Sequence, residues 1–190
     1  MKNYLILCCM FIASCMTMKS IDYNNKILER DTYFSSLDSW LITGRSYIKN
    51  EEFDVQSNFV WRYASDETEL HLYGPFGINA IKLSASDKGI FINQNNNITS
   101  IDKNNHASQS ILSWGKAYKS FNYWLLGLED PNYPSKTIIS EDGTISELNQ
   151  RFWLVSYESY QWAGKVLIPK EIVLINDDFE IRIRVDSWRT

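Results

Sequence analysis

Side chains that could carry out acid–base or metal chemistry are few in this chain and far apart. The two histidines, His71 and His106, are predicted on the solvent face of a strand and in a polar loop. Neither has a partner at a spacing that suits a metal ligand set. The short motifs of serine hydrolases, zinc proteases and nucleotide-binding loops are absent from the sequence. We therefore predict no metal site and no catalytic residue.

Adjacent carboxylates form the only other candidates for catalysis, and each pair falls in a predicted turn. Neighbouring residues of a chain do not face each other across a substrate, as the two carboxylates of a glycosidase must. The interpretation as solvated turns is therefore preferred. The pairs are Glu51-Glu52, Glu129-Asp130, Glu141-Asp142 and Asp177-Asp178.

Three arginines, Arg45, Arg182 and Arg184, lie at polar positions of predicted strands. These positions indicate the solvent face of a sheet. Arg45 follows Gly44, so a buried structural role is the alternative for that residue. Neither interpretation assigns chemistry to the arginines.

The N-terminus predicts lipid modification of Cys15. A short basic start and an apolar run of about ten residues are typical of a signal peptide and too short to span a bilayer. The run ends in Ile-Ala-Ser-Cys, which resembles the lipobox of bacterial lipoproteins. We predict a signal peptide over 1–14, a lipidated tether over 15–21 and one domain over 22–190. An ordinary secretory signal is the alternative.

The cysteine count agrees with this interpretation. Cys8 and Cys9 would leave with the signal peptide, and the mature chain would keep only the acylated Cys15. A lipobox cysteine carries three acyl chains, palmitate among them, and several chains anchor a protein firmly. Met16 rather than aspartate follows the cysteine, which favours the outer membrane. We expect the protein to be anchored there, on the periplasmic side, as a monomer.

Charge and composition bear on which partners the protein can bind. The net charge is −4, or −5 without Lys2, and no basic block is present, so we predict no nucleic-acid binding. Seven Trp, eleven Tyr and nine Phe are a large aromatic content. An ordinary core can take up many of these side chains but does not obviously need all of them.

Most of the chain after residue 39 is predicted to form antiparallel strands. Residues 53–63 are the clearest case, because apolar side chains fall on odd positions and polar ones on even positions. Pro169 indicates an edge or a bend in its strand. Strands are predicted over 40–49, 53–63, 69–73, 78–85, 89–93, 98–101, 137–148, 151–160, 166–175 and 180–188.

Helices are predicted over 22–36, with Glu29, Arg30 and Asp31 on the polar side, and over 110–118. Ser120 is expected to cap another helix, ended by Pro131 and Pro134. Its apolar stripe would consist of Phe121, Trp124, Leu125 and Leu128.

A single sheet with this many strands must curl, and its apolar face must be covered. We therefore predict a mainly β (α+β) fold, an incomplete, half-open antiparallel β-barrel with about three helices capping a hydrophobic cavity. Packing as an ordinary core is the alternative role for the same side chains. The predicted lining consists of Phe59, Trp61, Leu70, Leu72, Ile81, Leu83, Phe121, Trp124, Leu125, Leu128, Trp153, Val155 and Tyr157.

The segment Gly74-Pro-Phe-Gly77 joins two predicted strands and places an aromatic residue at the tip of a turn. Polar residues are usual at such tips. Phe76 either folds back onto the sheet or contacts something outside the protein. Pro75, Phe76 and Gly77 are the candidate residues for such a contact.

An ordered set of short segments is similar to the outer-membrane lipoprotein receptor family LolB, from about residue 20 to the C-terminus. The segments are WLITGR (40–45), FVW (59–61), LHLYGPFG (70–77), WLLG (124–127), WLVSYESY (153–160), LIP (167–169) and IRIRVDSW (181–188).

The resemblance implies an unclosed barrel with a hydrophobic cavity for lipoprotein acyl chains. It implies a receptor that takes lipoproteins from the periplasmic carrier LolA and inserts them into outer-membrane lipid, without a cofactor. In the family the protruding turn usually carries leucine, which matters for the insertion step, and Phe76 stands there in this chain. The resemblance therefore implies that Pro75, Phe76 and Gly77 form a membrane-insertion loop. A structural or scaffolding lipoprotein with a filled core is the alternative. A lipid-modifying enzyme is disfavoured, because the chain lacks the nucleophile and the base that such an enzyme needs.

Overall fold

The computed structural model describes residues 23–51, 54–77, 80–101 and 109–190. The predicted signal peptide 1–14, the tether 15–21 and Cys15 lie outside the described residues. The elements are α1 (Tyr23–Ser35), β1 (Ser39–Lys49), β2 (Asp54–Ala64), β3 (Glu67–Tyr73), a 3-10 turn (Pro75–Gly77), β4 (Ile81–Ser86), β5 (Gly89–Gln94), β6 (Asn97–Ser100), α2 (Gln109–Trp124), β7 (Ser135–Ile139), β8 (Ile145–Gln150), β9 (Trp153–Ala163), β10 (Val166–Ile175) and β11 (Glu180–Arg189).

The eleven strands form one antiparallel sheet in the order β6-β5-β4-β3-β2-β1-β11-β10-β9-β8-β7. β1 pairs with β11, which joins the N-terminal and C-terminal halves of the chain at the centre of the sheet. Within the described residues the outer strands β6 and β7 do not pair with each other. The prediction of a mainly β, open antiparallel sheet is confirmed, and the sheet is not closed into a barrel.

Alternation of side chains along the strands follows the sequence pattern. On β2, Phe59 and Trp61 are buried while Asp54 and Arg62 are exposed. β11 repeats the pattern, with buried side chains alternating with exposed ones. One face of the sheet is therefore apolar, as a half-buried antiparallel sheet requires.

Gly44 lies at an irregularity in the pairing of β1 with β11, where the two backbones approach each other closely. The register of β1 against β11 shifts between Thr43 and Gly44. A Cβ atom on Gly44 would lie 2.1 Å from the Arg184 carbonyl oxygen and 2.9 Å from the Phe59 ring. Only glycine allows this approach of backbone to backbone and ring.

The number of helices differs from the prediction. Two α-helices lie in the described part of the chain, because the segments predicted as two helices form the single helix α2. Ser120 lies inside α2 and is not an N-cap. Its hydroxyl donates to the Asp130 carboxylate at 2.6 Å instead.

α2 ends at a glycine, not at the prolines that the sequence suggested. Gly127 has φ +69°, its N–H donates to the Trp124 carbonyl, and the Leu128 N–H donates to the Tyr123 carbonyl. This is the Schellman arrangement, in which a left-handed glycine closes the last helical turn. Leu125 and Leu128 of the predicted helical stripe therefore lie in the closing turn, where both are buried.

Pro169 lies at an irregular position in an internal strand. β10 pairs with β11 only from Glu171 to Ile175, so Pro169 pairs with β9 alone and lies at a local edge, as the first of the two predicted alternatives had it. The bend is confirmed, because the register against β9 shifts between Pro169 and Glu171. Proline lacks the N–H that a regular ladder needs, and the irregularity accommodates that loss.

The apolar face of the sheet packs against α1, α2 and the segment that follows α2 in one continuous core. α1 contributes the buried Phe34, and α2 contributes Ala117, Phe121 and Trp124. No helix in the described part of the chain has the length and apolar character needed to cross a membrane.

Candidate functional site

Aromatic side chains of α2 pack against both halves of the sheet. The Phe121 ring lies 5.9 Å from Trp61 of β2, stacked, and 5.4 Å from Trp153 of β9, edge to face. Trp124 lies 5.1 Å from Phe121 and 6.2 Å from Trp153. Offset and edge-to-face pairs of this kind add to the free energy gained from burial alone. The four rings form an apolar centre between the sheet and its helical cover, which we call the aromatic centre.

Hydrogen bonds from polar atoms of buried aromatic residues fasten α2 to the sheet. The Trp61 indole donates to Asn122 Oδ1 at 2.9 Å, and the Trp124 indole donates to Gln150 Oε1 at 2.8 Å. The Tyr157 hydroxyl donates to the Trp124 carbonyl at 3.0 Å. Neither Asn122 nor Gln150 was predicted from the sequence as a site residue. A polar residue next to an apolar helical stripe was the available signal for Asn122.

Asp130 forms a buried hydrogen-bonded centre just after α2. Its carboxylate accepts from the Ser120 hydroxyl at 2.6 Å and from the Asn132 backbone N–H at 3.0 Å. The Gln150 amide donates to the Asp130 carbonyl at 3.0 Å. Asp130 is only 1% exposed. The interpretation of Glu129-Asp130 as a solvated turn is therefore wrong for Asp130, whose burial is balanced by several donors.

Arg30 connects α1 to the end of α2. Its Nη2 donates to the Leu126 carbonyl at 2.7 Å, and its guanidinium lies 5.4 Å from the Tyr160 ring centre. Arg30 is buried, so its predicted position on the polar side of α1 is wrong. The neighbouring Asp31 has a raised pKa, chiefly because partial burial disfavours its charged form.

The structure brings the predicted lining residues together in the core. Leu72 and Ile81 are half-buried, and the other eleven are buried. Little free volume is found beside the strand residues of this lining. One apolar cavity has a free volume of about 10 Å³, which corresponds to about one water-sized sphere. Its lining consists of Ser46, Ile48, Phe59, Trp61, Leu70, Leu72, Ile181 and Ile183.

A larger cleft of about 480 Å³ separates α1 from the C-terminal part of α2. Phe34, Trp40, Tyr63 and Tyr123 are among its lining residues, together with polar groups such as Asn122. Burial, followed by the hydrogen bond to Asp66, raises the pKa of Tyr63 to about 12. Burial likewise raises the pKa values of Tyr118 and Tyr123. The charged side chains Asp66, Asp87 and Lys119 also line the cleft, so it presents charges beside its rings and hydroxyl groups.

The predicted insertion loop forms a tight turn at one end of the sheet. The Gly77 N–H donates to the Gly74 carbonyl at 3.1 Å, and Gly77 has φ +76°. Pro75 and Gly77 are exposed. The side chain of Phe76 lies outside the described part of the structure, so its exposure remains a prediction.

His71 and Arg45, two of the polar residues considered as candidates for chemistry, lie on the surface of the protein. His71 is exposed and its ring lies 5.4 Å from that of Tyr73. Arg45 is exposed and pairs with Asp186 at 3.0 Å, which confirms its placement on the solvent face. No group of three or more metal-ligating side chains occurs among the described residues.

The open sheet with two covering helices defines a class of fold found in lipoprotein-sorting proteins. A crystal structure of a LolA superfamily protein from Nitrosomonas europaea is similar, with TM-score 0.55 and 4% identity over 88% of this chain and 92% of that one. A domain described as an outer membrane lipoprotein-sorting protein, from Vibrio parahaemolyticus, has TM-score 0.50 and 10% identity over 88% and 93%. At these identities the likeness concerns the fold alone.

Sequence comparison assigns the family. The profile of the family described as Outer membrane lipoprotein LolB matches residues 38–188, and the chain belongs to the LolB family. Outer-membrane lipoprotein LolB of Marinomonas sp. (strain MWYL1) is 26% identical over 157 residues, 81% of each chain. The protein of the same name from Francisella tularensis subsp. tularensis (strain SCHU S4) is 22% identical over 184 residues, 94% of this chain and 88% of the relative.

Family and fold together assign a general role. They support a part in lipoprotein localisation, and the names of the relatives support the outer membrane as its location. The protein is not an enzyme, because the family is one of outer-membrane lipoproteins that serve transport.

Proposed function

We propose that this protein receives lipoproteins from a periplasmic LolA-type carrier and inserts them into the outer membrane. The observation that carries the proposal is the aromatic centre between β2, β9 and α2, in a chain of the LolB family. An apolar sheet face covered by only two helices suits a ligand that is itself apolar. The acyl chains of a lipoprotein are such a ligand.

Binding of an acyl chain between α2 and the sheet requires α2 to move away from the sheet, because the apolar cavity there has a free volume of only about 10 Å³. Each methylene that leaves water contributes about 0.8 kcal/mol, so about ten methylenes contribute about 8 kcal/mol. A hydrogen bond typically contributes about 1 kcal/mol net, so the few that fasten α2 are outweighed. The predicted lining residues would then contact the cargo.

Membrane attachment is the second part of the proposal. Cys15 would carry the acyl anchor and hold the domain on the periplasmic side of the outer membrane, as a monomer. Pro75, Phe76 and Gly77 would touch the lipid surface. A phenylalanine that leaves water contributes about 1.5–3 kcal/mol, which is enough to dock a turn but not to anchor a protein.

A transfer assay with a charged tip tests this role. The variant Phe76→Glu should fold and accept lipoprotein from the carrier, yet fail to release it into liposomes. Phe76→Leu is the matched control and should release normally, because leucine is also apolar. Release by Phe76→Glu at the parental rate would contradict the proposed function of the tip.

The filled interior favours a second candidate, a structural outer-membrane lipoprotein without lipid cargo. Binding of a fluorescent fatty acid separates the two candidates. The receptor should bind the probe in a saturable way and lose it when the carrier delivers lipoprotein. A protein that binds no probe under these conditions would be the structural lipoprotein.

A further inference from the structure

The turn between β8 and β9 has an unusual sequence for its backbone. Arg151 and Phe152, its two central residues, have φ values of +55° and +65°. Two-residue hairpin turns with positive φ at both positions strongly favour Asn-Gly or similar small residues. Phe152 is also 95% exposed. A bulky aromatic residue here is unfavourable both in its backbone conformation and in its exposure to water.

No contact within the described protein compensates for the unfavourable backbone conformation and the exposure of Phe152. Arg151 has contacts, because its Nη1 donates to the Ser120 hydroxyl at 3.0 Å and its guanidinium lies 3.9 Å from the Tyr133 ring centre. The Phe152 ring gains almost no burial. Two other hairpin turns with paired positive φ carry the small polar pairs Ser65-Asp66 and Asn95-Asn96. The backbone strain at Phe152 is not compensated within the described protein, which points to a contact outside it.

Register places Phe152 at the same end of the sheet as the Pro75–Gly77 turn. The β3–β4 connection lies at the end where β2 begins, because β2 and β3 are antiparallel. From the start of β2, neighbouring strands are paired end to end across the sheet, and this series of pairs leads to the β8–β9 turn at the same end. The pairs are Asp54 with Lys49, Lys49 with Glu180, Glu180 with Ile175, Ile175 with Leu154, and Gln150 with Trp153.

Two further apolar side chains are exposed at this end, Val55 of β2 at 46% and Ile175 of β10 at 43%. A stable protein–protein interface needs about 800 Å² from each partner, and a few separated apolar side chains do not supply it. A phospholipid bilayer needs no such continuous area, since each aromatic side chain can enter it alone. The chain also belongs to a family of outer-membrane lipoproteins, so a bilayer is the surface at hand.

We propose that Phe152 is a second membrane-contact residue, which inserts into a phospholipid bilayer at the same end of the sheet as the Pro75–Gly77 turn. The inference rests on the proposed function, which directs this end of the sheet toward the membrane. Two contacts on separate hairpins would fix the tilt of the domain, which a single tip cannot do. Insertion of one phenylalanine corresponds to about a tenfold to hundredfold gain in partitioning to lipid.

The test measures lipid contact in the full-length lipidated protein. Phe152→Cys and, separately, Lys165→Cys are labelled with an environment-sensitive fluorophore in vesicles that contain nitroxide-labelled phospholipid. Lys165 is the matched control, because it is exposed in the turn at the opposite end of β9. We expect several-fold stronger quenching at position 152 than at position 165. Equal quenching, or stronger quenching at position 165, would overturn the proposal.

A second measurement removes the phenylalanine without placing a label on it. A fluorophore at Asp178→Cys, in the exposed turn before β11, reports on the same end of the sheet. Adding Phe152→Asn should weaken its quenching, while adding Lys165→Asn should not. Asparagine tolerates positive φ, so Phe152→Asn is expected to fold. Unchanged quenching in Phe152→Asn would count against the inference.

The outcome is separable from that of the proposed function. If lipoprotein transfer fails in the parental protein while position 152 is quenched by lipid, the receptor proposal fails and the membrane contact is supported. If transfer is normal and position 152 is not quenched, the receptor proposal survives and the membrane contact at Phe152 is refuted.

Discussion

The Trp61 indole nitrogen on β2 lies 2.9 Å from Asn122 Oδ1 on α2, and both residues are buried. Asn122 also donates from Nδ2 to the Thr68 hydroxyl of β3 at 2.8 Å. One amide therefore ties α2 to two neighbouring strands. The apolar surroundings make this contact specific, because a buried polar group without a partner is costly. In the proposed function, this contact must open when an acyl chain enters.

Replacing this amide should loosen the cover of the sheet. Asn122→Leu removes the acceptor of the Trp61 indole and a donor to Thr68, so we expect the free energy of unfolding to fall by about 1–3 kcal/mol. Chemical denaturation measures the change. Lys119→Ala is the control on the same helix, because its ion pair with Asp87 is exposed and should contribute at most about 1 kcal/mol. An equal loss in both variants would contradict the importance of the amide.

Gly127 should tolerate no side chain, for two separable reasons. Its φ of +69° costs about 1–2 kcal/mol for alanine. A Cβ atom would also lie 2.7 Å from Arg30 Nη2 and 3.0 Å from the Tyr160 hydroxyl. Gly164→Ala is the matched control, since Gly164 has φ +64° and open space around it. In denaturation, Gly127→Ala should lose more stability than Gly164→Ala.

A double-mutant cycle then isolates the contact with Arg30. Arg30→Ala removes one of the atoms that the new methyl group would meet, so the two substitutions together should cost less than the sum of the single effects. Strict additivity would show that the end of α2 does not pack against Arg30 in solution.

Alkaline pH should destabilise the protein through its buried phenols. Burial raises the pKa of Tyr157 well above the usual value and, with a hydrogen bond to Asp66, raises the pKa of Tyr63 to about 12. Above about pH 10 the unfolded chain loses phenolic protons that the folded protein keeps, so folding stability falls as pH rises.

Unfolding free energies at about pH 8 and about pH 11 measure this fall. Tyr157→Phe should lower stability near neutral pH, because the hydrogen bond to the Trp124 carbonyl is lost, and should make the fall between the two pH values smaller. The same pH dependence in the parent and the variant would assign the effect to other groups.

Phe152 should be a stability liability. Phe152→Gly relieves a positive φ at a side chain with almost no contacts, so the free energy of unfolding should rise by about 1 kcal/mol. Thermal unfolding measures the gain. Arg151→Gly is the contrasting control, because Arg151 contacts Ser120 and Tyr133 and its loss should offset the relief. A drop in stability for Phe152→Gly would mean that its ring packs in solution.

Much of the fold follows from local patterns. The alternation on β11, and over most of β2, predicted one dry face and one wet face, and the turn at Pro75–Gly77 followed from its proline and glycine. The helix count did not follow, because Ser120 is a good N-cap residue when read locally. In the folded protein its hydroxyl bonds to Asp130, ten residues later. Long-range partners of this kind leave no periodic signal.

The candidate site was predicted unevenly for the same reason. Apolar lining residues were recognised from periodicity, which reports burial but not free volume. Arg30, Asn122 and Asp130 were missed or placed on the surface, because polar residue types are usually exposed. Their burial depends on partners far along the chain, such as Leu126 for Arg30.

The sequence by itself determined the dry face of the sheet, the aromatic content of the core and the resemblance to LolB, since these depend on residue type and on spacing along one strand. Only the tertiary structure decided how full the interior is and which turns share one end of the sheet. Phe152 shows the difference, because exposure and strain at a turn depend on backbone angles and on what lies nearby. The free volume of the interior depends on side chains from segments that are distant in sequence, and these side chains meet only after the chain has folded.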